Sequence, residues 1–155
     1  MAPQLWFLRH GDAVPHGTKP DPERELTSKG ERQSRDAGAA LARLDVRFDA
    51  CYTSPKVRAR DTARLACEPL GIEPEEVESL SGGLEREDAL ELLMGHDADA
   101  HVLLVGHEPD FSQVVGDLTG ARIQMKKGGL AAVGVERGGG ELLALLRPKE
   151  LRKLA

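Results

Sequence analysis

Aromatic residues make up only 3% of this 155-residue chain, so stacked rings cannot build its core, and Leu, Val and Ala must do so. Cysteine is almost absent. Cys51 and Cys67 offer no disulfide framework and no metal-binding spacing, and they read as buried, reduced thiols. There is no excess of basic charge: 21 Lys and Arg face 26 Asp and Glu, for a formal net charge of -5. That balance argues against a general nucleic-acid or membrane-surface binder. Long apolar runs are missing, and stretches such as Val102 to Val105 fall far short of a membrane span. The opening residues hold neither a basic segment nor a long apolar one, so no secretory signal is visible and the expected address is the cytoplasm. What is present is the balance of an ordinary soluble protein, 40% hydrophobic and 30% charged. Its length suits one domain over residues 1–155, with no internal repeat or linker to divide it.

The local pattern alternates between strand and helix. Leu5 to Leu8 reads as a buried strand, and "VPHGTKPDPERE" (14–25), with three prolines, as an exposed loop. Ser28-Lys29-Gly30-Glu31 has capping-box spacing. It predicts a helix to about Leu44 with Ala37, Ala40, Leu41 and Leu44 packed inward. "FDACYTS" (48–54) reads as a second strand. Ser54-Pro55 then gives an N-cap and a proline at the first helical position, opening a helix with Val57, Thr62, Ala63 and Ala66 that ends before Gly71. A further helix is expected around Glu87 to Met94. "HVLLVGH" (101–107) is apolar on both faces, as a central parallel strand should be. Pro109 starts another helix, through Val114, Val115 and Leu118 to a stop at Gly120. "LAAVGVERGGGELLALLRP" (130–148) predicts two strands joined by a glycine-rich turn. The expected fold is a three-layer α/β/α sandwich with a mainly parallel central sheet.

Three strand-to-helix junctions carry unusual polar residues: Leu8-Arg9-His10-Gly11, Thr53-Ser54-Pro55-Lys56-Val57-Arg58, and Gly106-His107-Glu108-Pro109. In an open parallel sheet, ligands sit beyond the carboxyl ends of the strands, so Arg9, His10, Arg58 and His107 can converge on one pocket. Two guanidinium groups match phosphate oxygens with forked donors, and helix N-termini add amides and partial positive charge. His10 can act as a nitrogen nucleophile and become phosphorylated. Gly11 would let backbone approach the ligand. A protonated His107 would share the charge of the equatorial oxygens during in-line transfer.

"LRHG" (8–11), "SPKVRARDTA" (54–63) and "VGHEP" (105–109), in this order, resemble the marks of the histidine phosphatase, or phosphoglycerate-mutase-like, superfamily. "LTSKGERQSRDAGAAL" (26–41) resembles its first helix. The likeness covers roughly residues 5–120, and the short chain and "RHGDA" (9–13) are similar to the SixA-type phosphohistidine phosphatases. The resemblance implies a phosphoglycerate-mutase-like fold and a phosphorylated His10. Arg9, Arg58 and His107 would hold the phosphoryl group, and neither metal nor cofactor would be needed. It also implies an open site, since small members lack the cap of larger relatives.

Two features depart from those larger relatives. Ala13 stands where many have Ser or Thr, which removes one hydroxyl contact to phosphate. The general acid is not marked: Glu78 and Glu85 in "EEVESLSGGLERED" (75–88), Asp12 and water all stay open, although Asp12 reads better as a structural acceptor. A placed acid contributes about 10²–10⁴-fold when a poor leaving group departs. An imidazole, with a pKa of about 6.5, needs less help, so the site favours N-phosphoryl substrates.

The partner expected is therefore a phosphohistidine-bearing protein or, alternatively, a small phosphorylated metabolite; no nucleic acid and no membrane are expected. A small-molecule phosphomonoesterase and a non-catalytic phosphate- or phosphoprotein-binding module are the rival readings, and intact His10 and His107 weigh against the second. His16, His96 and His101 read as solvated, and no HExxH or CxxC spacing supports a metal. Arg122, Lys126 and Lys127 read as a solvated basic loop able to steer an acidic partner, and Glu75, Glu76 and Glu78 as a solvated acidic run.

Overall fold

The apolar run near the amino terminus is a strand, β1 (Gln4–Arg9), in a computed structural model that describes residues 2–155. The chain continues through α1 (Ser28–Arg43), β2 (Ala50–Thr53), α2 (Val57–Cys67), β3 (Pro74–Glu76), α3 (Arg86–Met94), β4 (His101–Gly106), α4 (Asp110–Thr119), β5 (Leu130–Glu136), β6 (Gly139–Leu146) and α5 (Pro148–Leu154). The six strands form one sheet in the order β3-β2-β4-β1-β5-β6. The first four are mutually parallel, while β5 and β6 join antiparallel.

Side chains alternate across a strand, and the core divides accordingly. Leu5, Phe7, Val102 and Leu104 pack with Ala89, Leu93, Phe111, Val114 and Leu118 of α3 and α4. Leu8, Leu103, Val105 and Cys51 pack with Ala37 and Leu41 of α1, Ala59, Ala63 and Ala66 of α2, and Leu151 of α5. This is the expected three-layer α/β/α sandwich, with β4 buried at its centre. Register brings Arg9 beside Gly106 and Thr53 beside Val105, so three strands end level with one another. Whatever follows them shares one edge of the sheet.

Several boundaries differ from the sequence reading. Thr27, not Ser28, caps α1, its hydroxyl accepting from the Gly30 amide at 3.1 Å. Leu44 lies past the last turn and is 47% exposed. Ser54 is not the cap of α2, because its amide donates to Val105 O and keeps it on the sheet. Its hydroxyl accepts from the Lys56 amide at 3.2 Å, and the helix begins at Val57. Part of the acidic run, Pro74–Glu76, is an edge strand beside β2. Pro109 caps α4, and Gly120 ends it in the left-handed conformation (φ 78°). Among the described residues no helix is long and apolar enough to cross a membrane.

Candidate active site

Beyond the end of β1 the backbone is held from several sides. The His10 amide donates to Gly106 O, and the Gly128 amide donates to the carbonyls of Arg9 and His10. The Gly11 amide donates to Thr62 Oγ1 of α2 at 3.1 Å. A Cβ on Gly11 would lie 2.5 Å from Gly30 O. Glycine is therefore required there by the approach of α1.

These anchors leave the His10 ring in one orientation. Its Nδ1 donates to Gly11 O at 2.7 Å, which places the proton on Nδ1 and leaves the Nε2 lone pair uncommitted. Burial pushes His10 down to about 4, and the nearby charges of Arg58, Arg9 and Lys127 act in the same direction against the hydrogen bond to Gly11. The ring is thus neutral near pH 7.

His107, just after β4, stands with its ring centroid 5.3 Å from that of His10. Its Nε2 is 2.8 Å from Ser54 Oγ. Burial first, then the charges of His10, Arg58 and Lys56, push His107 down to about 3. The free protein therefore holds it neutral.

Arg58 is 5% exposed. Its Nη1 donates to Asp21 O at 2.8 Å and its Nη2 to Asp21 Oδ2 at 3.2 Å. Arg9 Nη1 donates to Met125 O at 2.9 Å. Among the described residues, Arg9 Nε, Arg58 Nε and His107 Nδ1 are buried without a hydrogen-bond partner. An unsatisfied buried polar atom costs about 1–3 kcal/mol, so three at one place mark a site organised for a polar ligand rather than for stability. The sequence-derived set Arg9, His10, Arg58 and His107 does converge, lining one cleft of about 410 Å³.

Four further residues belong to this cleft or its support. Asp21 accepts from Arg24 Nε at 3.0 Å and stands 3.5 Å from Lys56 Nζ. Burial works to raise its pKa, but hydrogen bonding from Arg24 and the charges of Arg58 and Lys56 hold it down at about 2. Arg24, Lys56 and Lys127 line the cleft, and buried Arg24 corrects the reading of 14–25 as wholly exposed. Lys127 is no mere solvated loop residue. The spacing Asp21-x-x-Arg24 was the available signal, hidden by its proline-rich surroundings.

The acid candidates fare otherwise. Asp12 accepts from the Thr27 hydroxyl at 2.8 Å and pairs with Lys127 at 3.6 Å, as a structural acceptor would. Glu78 accepts from Ser81 Oγ, and Glu85 is occupied in the capping box of α3. None of the three lines the cleft, whose wall on that side is Ser81, Gly82 and Gly83. Glu108 does line it, yet its carboxylate accepts from the Ser112 amide and hydroxyl and from the Met125 amide. His16 lines the rim and is 82% exposed, whereas His96 is half-buried with its Nε2 2.8 Å from the Tyr52 hydroxyl.

Comparison with known proteins agrees with this geometry. The pattern of the Histidine phosphatase superfamily (branch 1) matches residues 5–82. An uncharacterized protein of Picosynechococcus sp. is 33% identical over 149 residues, covering 91% of this chain and 89% of the relative. The 2,3-bisphosphoglycerate-dependent phosphoglycerate mutase of Parvibaculum lavamentivorans is 38% identical over 76 residues, only 43% of this chain and 36% of the mutase. A solved structure of the protein histidine phosphatase SixA complexed with tungstate superposes with a TM-score of 0.84 at 24% identity, covering 96% of this chain and 99% of that one. At that identity the likeness speaks for the fold. The family pattern over half of the chain makes the assignment, and the fold agrees with it: the chain belongs to the histidine phosphatase superfamily.

Proposed function

We propose that this protein is a phosphatase that removes phosphoryl groups from protein phosphohistidine through a covalent intermediate on His10. The observation that carries the reading is the His10 ring, neutral and with Nδ1 tied to Gly11 O, beside a cleft wall of Ser81, Gly82 and Gly83. The Nε2 lone pair attacks phosphorus as the bond to the substrate imidazole breaks; with the other nitrogen of the substrate ring already protonated from solvent, the group that leaves is a neutral imidazole, and no protein acid is needed. Water then attacks phospho-His10, releasing inorganic phosphate and restoring the ring. Arg9 and Arg58 present forked donors to the phosphoryl oxygens, joined by His107 and amides opening α4, including that of Glu108. A bound dianion favours the protonated form of His107, which then shares the charge of the transition state.

The cations of the cleft supply the charge compensation, so the reaction runs without metal or cofactor. The chain acts as one domain, and its two free buried thiols, Cys51 and Cys67, fit the reducing conditions of a cytoplasm.

The test is phosphate release from a phosphohistidine-bearing protein and from p-nitrophenyl phosphate, with wild type beside His10→Ala. Faster release from the first substrate, reduced to background in the variant, is the expected result. Turnover of the aryl phosphate alone would make the enzyme a small-molecule phosphomonoesterase. Phosphate binding without either turnover would leave only a binding module.

A further inference from the structure

We propose that the groove between α1 and α5 is the docking surface for an acidic protein that delivers its phosphohistidine to the cleft. The inference rests on the phosphohistidine reading above and adds the chemistry of the partner.

The groove measures about 820 Å³ and is lined by six cations: Lys29, Arg32 and Arg35 of α1, and Lys149, Arg152 and Lys153 of α5. All six are exposed. They stand on a chain whose net charge is -5, and Asp36 is the acid among the lining residues. Of the six, Arg35 alone has an ion-pair partner among the described residues, Glu31 at 3.8 Å. Spacings of three and four residues place the cations of each helix on one face, and buried Leu151 packs α5 into the core cluster that also holds α1.

Helix stability does not account for this arrangement. Cations suit the last turn of a helix, so the dipole can explain Arg152 and Lys153. Lys29 instead lies in the first turn of α1, where a positive charge opposes the dipole. Bringing these two faces together also adds like-charge repulsion across the groove. An acidic partner would relieve both costs.

The groove connects to the cleft through a short chain of contacts. Gln33 lines the groove, and its Oε1 accepts from the Asp12 amide at 2.8 Å. Asp12 in turn pairs with Lys127, which lines the cleft. From the other side, Leu146 at the end of β6 faces Leu130, which faces Leu8. Pro148 and Lys149 therefore start α5 at the edge of the sheet that bears Arg9 and His10. The basic groove thus starts, with Lys29 and Lys149 in the first turns of α1 and α5, at the end of the sheet that carries the cleft. A small phosphorylated metabolite held in the cleft would make no use of it; an acidic protein surface around a phosphohistidine would. Opposite charge across such an area raises association rate and fixes orientation, and added salt weakens it.

The experiment compares wild type with Arg32→Glu/Arg152→Glu on two substrates, a net-acidic phosphohistidine protein and p-nitrophenyl phosphate. The variant is expected to raise KM for the protein about 10-fold or more, to leave kcat and p-nitrophenyl phosphate turnover unchanged, and not to lower the thermal melt. Wild-type KM for the protein should rise with sodium chloride, and that of the variant should hardly move. An unchanged protein KM overturns the proposal, as does an equal loss on both substrates, which would put the effect in the cleft. Vesicles of phosphatidylcholine and phosphatidylserine form the second arm: wild-type binding lost in the variant, with protein KM unmoved, would give the groove to a membrane and overturn it too. Should wild type hydrolyse p-nitrophenyl phosphate and no phosphohistidine protein, the substrate reading fails and the docking inference falls with it, an outcome distinct from an unmoved KM.

Discussion

Burial acts in one direction on both cleft imidazoles, holding His10 at about 4 and His107 at about 3, against about 6.5 in an unfolded chain. Between those values the unfolded state binds protons that the folded state refuses, so stability rises with pH across that window and is lost as the pH falls from about 6.5 towards 4. Wild type should therefore lose Tm between about pH 7 and pH 4.5, and His10→Gln/His107→Gln should lose on the order of 10 °C less over the same range. Parallel melting profiles for the two proteins would refute this. The same burial keeps the His10 ring neutral near pH 7, as the nucleophile proposed above must be. Arg9, His10, Arg58 and His107 were legible in the sequence because each stands at or just past a strand end or in the first turn of a helix, where topology leaves little freedom. Asp21 and Arg24 were not. Their places depend on how a proline-rich loop folds back over α2, and no periodicity encodes that path.

At the scale of elements, α1 and α2 meet through a glycine. A Cβ on Gly38 would lie 2.3 Å from Ala66 O, a separation that no side-chain adjustment relieves, since the obstacle is backbone. In an exposed helix interior, Gly→Ala gains about 1 kcal/mol. Here the clash is larger, and overpacking of this kind costs about 1–3 kcal/mol or more. Gly38→Ala is thus expected to destabilise the protein by about 2 kcal/mol and to lower activity as well, because α2 carries Arg58. Gly116→Ala, whose Cβ would meet Ala121 O at 3.3 Å, is the milder control. Urea denaturation of both variants decides the matter, and a more stable Gly38→Ala would refute the packing account. Element type was readable wherever apolar spacing was regular, as in α1, β4 and the β5–β6 hairpin. Thr27 and Ser28 were equally good caps locally, and the bond from Thr27 to Asp12 chose between them. The edge strand β3 is three residues of proline and glutamate and shows its strand character only through pairing with β2. Nor does the short helix α5 carry a clear signal of its own, since one buried leucine, Leu151, defines its inner face.

For the molecule as a whole, the cleft gathers groups that belong to separate parts of the fold. Arg9 ends β1 and His10 follows it, Arg58 rides on α2 against one core cluster, and His107 precedes α4, which packs against the other. A tetrahedral oxyanion such as tungstate, bridging these groups, would link both faces of the sheet and bind only the folded chain. Ligand at about 100 times its Kd stabilises by about 2.7 kcal/mol, which for a chain of this length raises Tm by about 5–10 °C. Wild type should show that rise with added tungstate, and Arg9→Ala/Arg58→Ala should not, although both proteins fold. The shift should also shrink with increasing salt less than KM for an acidic protein substrate does, because the cleft cations are partly buried while those of the groove are exposed. A tungstate shift that survives loss of both arginines would mean that anions bind elsewhere, and the cleft would lose its claim to the phosphoryl group.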